Sequence, residues 1–213
     1  MNHSLANALI HLNEAEITRR LKQAVEKNFK DPLLEFPQLR EFVSAEPKSA
    51  AVLIPLLSVD SSWHLLLTVR NANLPEHSGQ VAFPGGRADP EDASPEDTAL
   101  RETNEEIGVR PEDVRVLGRL RRYLTVTNYM VTPVVGVMPW PYPINPAAHE
   151  VSRVFTVPLT WLADPANHEE RPHQVPGPRL PVPVIYFQPY EREVLWGASA
   201  RFTLALLDAL KLI

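Results

Sequence analysis

The segment Ser94-Pro95-Glu96-Asp97-Thr98-Ala99-Leu100-Arg101-Glu102-Thr103-Asn104-Glu105-Glu106-Ile107-Gly108 constrains this chain more than any other. Ser94 is a good N-cap, and Pro95 suits the first helical position. Asp97 stands where a carboxylate completes a capping-box-like start. Gly108 is the natural residue to close the last turn, so the spacing predicts a helix over 95–107. Within it Glu102, Glu105 and Glu106 fall at i, i+3 and i+4 and share one face. Ala99, Leu100, Thr103 and Ile107 form an apolar face about a third of a turn away. For stability the acidic cluster is poor: like charges at these spacings repel, and the macrodipole disfavours anions in a last turn. Locally only Arg101, four residues before Glu105, relieves it. Two readings follow. The face is a solvated charged surface, or it is an oxygen-rich site for Mg²⁺ or Mn²⁺, which would relieve the repulsion far better.

Arg101-Glu102-x-x-Glu105-Glu106-x-Gly108, preceded by Gly85-Gly86, resembles the signature helix of the Nudix hydrolases. Against that family's pattern, Gly86 lies one residue further from Arg101. Ala93 stands where the first Glu would be, and Thr103 replaces an aliphatic residue. The same lengthening marks the coenzyme A pyrophosphatase branch. That branch's second motif is similar to Leu66-Leu67-Thr68-x-Arg70, then Gly79, then Phe83-Pro84-Gly85-Gly86, with Pro75 where the branch has Arg. Residues 131–136 and 194–197 resemble further segments of it, so the resemblance covers roughly residues 50–211.

The resemblance implies an α/β/α sandwich of α/β (α+β) class, with a mixed sheet between helices. It divides the chain into an N-terminal helical extension over 1–48 and a hydrolase domain over 49–213. It implies metal-dependent hydrolysis of the diphosphate bond of coenzyme A or its derivatives, giving 3′,5′-ADP and a 4′-phosphopantetheine. Glu102, Glu105, Glu106 and the Gly86 carbonyl would hold Mg²⁺ or Mn²⁺, and Arg101 would orient the carboxylates. Glu150, just before a strand, is the candidate for a further ligand or the water-activating base, against the alternative of an ordinary surface acid. Arg70 and His77, which flank the approach to the Gly-rich turn, are the candidates for binding phosphate, with a plain surface role as the alternative for His77. Phe83 and Tyr129 would stack on the adenine, although an aromatic in a strand also serves a core. Pro75 keeps an ADP-sugar or a dinucleotide open as substrate. A nucleotide-sensing module without turnover is the reading from a different class, and the self-repelling glutamates weigh against it.

Elsewhere composition mainly excludes. The 213 residues, 44% of them hydrophobic, suffice for one well-packed domain with an extension. A net charge of −5 without a Lys/Arg cluster leaves no footprint for nucleic acid. With no Cys there is neither a disulfide nor a thiolate metal site. No signal-peptide pattern or long apolar run is present, so a soluble cytoplasmic enzyme with a small-molecule nucleotide as partner is expected, away from membranes. Asn13 caps a helix whose Ile17, Leu21, Val25 and Phe29 form a stripe, ended by Asp31-Pro32. That stripe packs on the domain or across a homodimer, which stays open. Strands are predicted over 50–59, 63–70, 80–83, 114–124, 129–138, 150–157 and 184–188. A helical turn over 158–162, a surface loop over 164–183 and a last helix over 198–212 complete the chain.

Overall fold

A tight hairpin starts the sheet. Strands β1 (Lys48–Val59) and β2 (Ser62–Arg70) pair antiparallel, with Leu56 opposite Leu65 and Val59 opposite Ser62. Asp60 and Ser61 both take positive φ, 45° and 62°, which gives a two-residue turn the twist that hairpin strands need. The computed structural model describes residues 9, 11–27, 46–125, 127–174 and 181–213. β1 also runs parallel to β7 (Tyr129–Val137), and its first residues pair antiparallel with β4 (Gly85–Arg87). β2 carries β3 (Val81–Ala82) and β8 (Val151–Pro158). β7 carries β5 (Arg115–Arg119) and β6 (Tyr123–Leu124). The result is an eight-stranded mixed sheet.

Alternation along the strands builds a core on each face. Ala51, Leu53 and Leu57 pack with Ala99 and Ile107 of helix α2 (Pro95–Ile107). Ile54, Leu56, Leu65 and Leu67 point the other way. They meet Ile17 and Leu21 of α1 (Glu14–Lys27), beyond the short α3 (Leu159–Leu162) and beside Leu206 and Leu207 of α4 (Gly197–Ala209). Helices on both sides of a mixed sheet are the expected α/β/α layering. Ile17 and Leu21 are fully buried, each contributing about 1.5–3 kcal/mol of apolar burial, so the first helix belongs to the folded body. Its cap is also as expected: Asn13 Oδ1 accepts from Glu16 N–H at 2.9 Å. The Val25 side chain, Phe29 and the Asp31-Pro32 stop lie outside the described residues.

Two expectations need correcting, and one strand went unpredicted. The strand over 114–124 is two strands, β5 and β6, with the break between Arg119 and Tyr123, and β5 itself carries a register shift between Val116 and Gly118. The loop over 164–183 contains a 3₁₀ turn (Pro165–Asn167) and strand β9 (His168–His173), which pairs antiparallel with β10 (Val182–Phe187). The β9 sequence His-Glu-Glu-Arg-Pro-His has no alternation to reveal it, and its partner strand supplies the pairing. β4 is short and Gly-rich, so propensity hides it. Among the described residues no helix is long and apolar enough to cross a membrane.

Candidate active site

Helix α2 has the predicted bounds and caps. Ser94 Oγ accepts from Asp97 N–H at 3.2 Å, and Gly108 takes φ 73° while its N–H donates to Asn104 O. The three glutamates share one face of the helix but not one environment. The Glu106 side chain is 5% exposed and Glu102 is largely buried, whereas Glu105 is 55% exposed. The cause is the turn Pro84-Gly85-Gly86 packed against the helix. Gly85 N–H donates to Glu106 Oε2 at 3.3 Å. A Cβ on Gly86 would lie 2.5 Å from Glu102 Oε2, and one on Gly85 would lie 2.4 Å from the Ala51 carbonyl oxygen. Only glycine lets this backbone approach both the carboxylates and β1.

Burial sets the electrostatics. Loss of water, reinforced by the charges of Glu102 and Glu150, pushes Glu106 up to about 8, against the pull of Arg70 and the Gly85 N–H. Glu102 is raised for the same first reason, with Glu105 and Glu150 adding to it and Arg101 opposing. Glu150 reaches this group because the segment before β8 is pinned to the end of α2. Asn145 N–H donates to Ile107 O and Ala147 N–H to Glu106 O, which satisfies carbonyls the helix leaves open. The Glu150 carboxylate is partly exposed, with His149 Nε2 at 3.1 Å.

Arg101 ties the cluster together. Its Nη1 donates to Glu102 Oε1 at 3.0 Å and to Glu105 Oε2 at 3.1 Å, and its Nη2 donates to the Arg87 carbonyl at 3.0 Å. Its other anchor was not foreseen. Nε and Nη2 also donate to the two oxygens of Asp92, at 3.1 and 3.0 Å, and Asp92 is 7% exposed. Counting back from Arg101 leads to Ala93, whereas counting forward from Gly86 leads to Asp92. The extra residue lies between Asp92 and Arg101, and a search for the acid on both sides of it would have found the anchor.

Beside the acids opens a cavity of about 470 Å³. Arg70, His77, Phe83 and Tyr129 all line it, together with Gly85, Gly86 and Arg87. Arg70 Nη1 stands 3.8 Å from Glu106 Oε1, and among the described residues Arg70 Nε has no hydrogen-bond partner. His77 is exposed and bonded to Gln80 Oε1 at 3.0 Å. Phe83 is 3% exposed and belongs mostly to the core. One face of Tyr129 carries the Lys48 ammonium, 5.7 Å from the ring centre. Pro75 is exposed and does not line the cavity, although its neighbours Glu76 and His77 do.

The NUDIX domain profile matches residues 47–176 of the chain, the span that holds β4, α2 and the acids. The chain belongs to the Nudix family. A Nudix hydrolase named NudL from Shigella flexneri serotype 5b, uncharacterized in its activity, is 41% identical over 174 residues, covering 80% of this chain and 88% of that protein. Its namesake from Photorhabdus laumondii is 37% identical over 167 residues, covering 78% and 87%. The crystal structure of a MutT/nudix family protein from Enterococcus faecalis superposes with a TM-score of 0.52 at 18% identity. It covers 94% of this chain and 75% of the other, a likeness that speaks for the fold. This Nudix chain is therefore a hydrolase of phosphorus-containing anhydrides of the pyrophosphate kind, in a family that generally uses divalent metal ions.

The residues of this Nudix site fit such an ion by their donor chemistry. The side chains of Glu102, Glu105 and Glu106 offer carboxylate oxygens, the donors that hard divalent cations prefer. Glu106 is a buried carboxylate held up to about 8, and a cation is the partner that would return it to its charged form. Among the described residues no three His, Asp or Glu side chains already surround one cation position. The glycine turn makes a test. Gly86→Ala places a methyl against the movable end of Glu102 rather than against backbone, so folding should survive with the carboxylate displaced. Misplacement on the order of 1 Å costs up to about a hundredfold, so turnover should fall about tenfold to a hundredfold with little change in melting temperature. Unchanged turnover would show that Glu102 needs no fixed position.

Proposed function

We propose that the chain hydrolyses the diphosphate bond of coenzyme A or its derivatives with Mg²⁺ or Mn²⁺, releasing 3′,5′-ADP and a 4′-phosphopantetheine. The observation that carries the reading is the single cavity shared by Arg70, His77 and the Gly85–Gly86 turn, with Glu102 and Glu106 against that turn. A diphosphate is densely anionic, and a site walled by carboxylates repels it unless cations intervene. Glu102, Glu106 and the Gly86 carbonyl are the ligands assigned to the ion, with the exposed Glu105 completing the set. When bound, a divalent ion neutralises phosphate charge and lowers the pKa of a coordinated water.

The protein's own groups do the rest. Arg101 ties Glu102 and Glu105 through one nitrogen, Nη1, and holds them in place. Arg70, with its unpaired Nε, supplies positive charge to a phosphate oxygen beside Glu106. Glu150, partly exposed and on the rim of the acid cluster, accepts the proton of the attacking water. His77 lines the same cavity, where a ring N–H is a donor to a phosphate oxygen. The partner is thus a small nucleotide.

The deciding experiment compares coenzyme A, dephospho-coenzyme A, an ADP-sugar and a dinucleotide with each metal. The reading expects the highest kcat/KM for coenzyme A. A faster ADP-sugar or dinucleotide would replace it with the alternative substrate class, and binding without any turnover would point to a sensor. Arg70→Ala tests the phosphate role. Because Arg70 stands beside Glu106, its loss should affect coenzyme A and dephospho-coenzyme A alike, by about tenfold to a hundredfold in kcat/KM. A loss confined to coenzyme A would assign Arg70 to the 3′-phosphate instead.

A further inference from the structure

The cavity has a second wall that the phosphate chemistry leaves unused. It is built by β10 and the start of α4, where Val184, Trp196 and Phe202 line the space. The backbone fixes Trp196 there: Tyr186 and Trp196 form an isolated antiparallel bridge, and Phe187 N–H donates to Leu195 O at 2.8 Å. Directly opposed residues in such a bridge bring their side chains together. Here the two rings stack with centres 5.4 Å apart and planes 4° from parallel. The Arg171 guanidinium lies 5.4 Å from the Tyr186 ring centre, and Tyr186 Oη shares a 2.7 Å hydrogen bond with His173 Nδ1. The stack is therefore held by its neighbours before any ligand arrives.

A third ring supports the stack. His173 is 5.3 Å from Trp196 and 6.2 Å from Tyr186, centre to centre. With the 5.4 Å stack, Tyr186 and His173 therefore stand against the indole and against each other. Trp196 itself is only partly buried, and its side chain lines the cavity. Phe83 and Tyr129 offer less: the first is 3% exposed, and the second already has Lys48 over its ring.

We propose that Trp196 is the stacking platform for the planar purine base of the substrate, with Tyr186 and His173 holding the indole in place. The assignment rests on the reading of the chain as a hydrolase of nucleoside diphosphate derivatives and adds the base subsite to it. A flat, rigid aromatic face continuous with the phosphate-binding end suits a purine, whose π-face stacks without regard to its substituents. The flexible pantetheine arm has only two small amide planes and no ring to cover it.

The test measures binding without turnover, by calorimetric titration of the full chain with AMP, ribose 5-phosphate and 4′-phosphopantetheine in the presence of Mg²⁺. Trp196→Leu removes the π-face while keeping an apolar side chain, and Trp196→Phe keeps a smaller ring. Loss of a base–aromatic stack corresponds to about a tenfold to a hundredfold weakening. The expected result is that weakening for AMP in the Leu variant, a change of less than about threefold in the Phe variant, and ribose 5-phosphate unaffected in both. Equal AMP affinity in wild type and the Leu variant would overturn the proposal. So would a loss confined to 4′-phosphopantetheine, or the absence of AMP binding to the wild type at millimolar concentration. Because no step depends on hydrolysis, AMP binding through Trp196 would stand even if coenzyme A proved not to be cleaved.

Discussion

Glu106→Gln should abolish most turnover while making the metal-free protein more stable in alkali. Glu106 is the most buried acid of the cluster, and the amide keeps its shape and can still accept from the Gly85 N–H. It cannot match an anionic ligand. Charge stabilisation by a metal is worth several kcal/mol, so losing one charged ligand should lower kcat roughly a thousandfold. The stability half follows from proton linkage. The folded protein holds the Glu106 proton to about pH 8, whereas an ordinary glutamate gives it up near 4.5. Between those values the folded state binds the extra proton, so its contribution is intact below 4.5 and is lost as the pH rises towards 8. In chelator the wild type should therefore lose on the order of 3–5 kcal/mol relative to the Gln variant between pH 4.5 and pH 9. Denaturation of both proteins across that range, with EDTA and then with Mg²⁺, checks the claim. Mg²⁺ should restore the wild type and leave the variant unmoved. A Gln variant less stable at pH 9 in chelator would show that the ionised carboxylate is needed for the fold.

What could be read from the chain before its structure was known divides by range. Helix α2 was legible to the residue because Ser94, Pro95, Asp97 and Gly108 act within one turn of each end, and caps are local chemistry. The three glutamates were legible as a cluster but not as a gradient. Periodicity reports which side chains share a face, not what lies across from it, and the Pro84–Gly86 turn that buries Glu106 and leaves Glu105 in water arrives from another strand. Glu150 stood out only by its place before a strand. What brings it to the acids is a pair of backbone hydrogen bonds from Asn145 and Ala147, to which no side-chain pattern points. Strand β9 escaped because a polar strand on the edge of a two-stranded sheet carries no alternation. The Tyr186–Trp196 stack depends on a return of the chain over nine residues that ends in a single bridge, and nothing in the segment 186–196 announces it.

Arg101→Met should cost the protein both stability and activity, and a second substitution should separate the two losses. The methionine fills the space of the stem but leaves the buried Asp92 carboxylate without the guanidinium that meets both of its oxygens. Removing one member of a buried pair costs about 3–5 kcal/mol, and the partial exposure of Arg101 argues for the lower end. Arg101 holds Asp92 well below the usual carboxylate range. For a depressed acid the contribution is present at neutral pH and is lost as the pH falls through the folded value, so wild type and variant should converge only in strong acid. Turnover should fall by about tenfold to a hundredfold as well, the range found when groups that orient metal-binding carboxylates are removed, because Glu102 and Glu105 lose their common tie. Adding Asp92→Asn removes the stranded charge without returning the tie. The double variant should therefore regain much of its resistance to urea while its kcat stays where the single variant left it. Recovery of both together would mean that Arg101 serves the fold alone. Recovery of neither would mean that the Arg87 carbonyl, the remaining acceptor of the guanidinium, is the contact that matters.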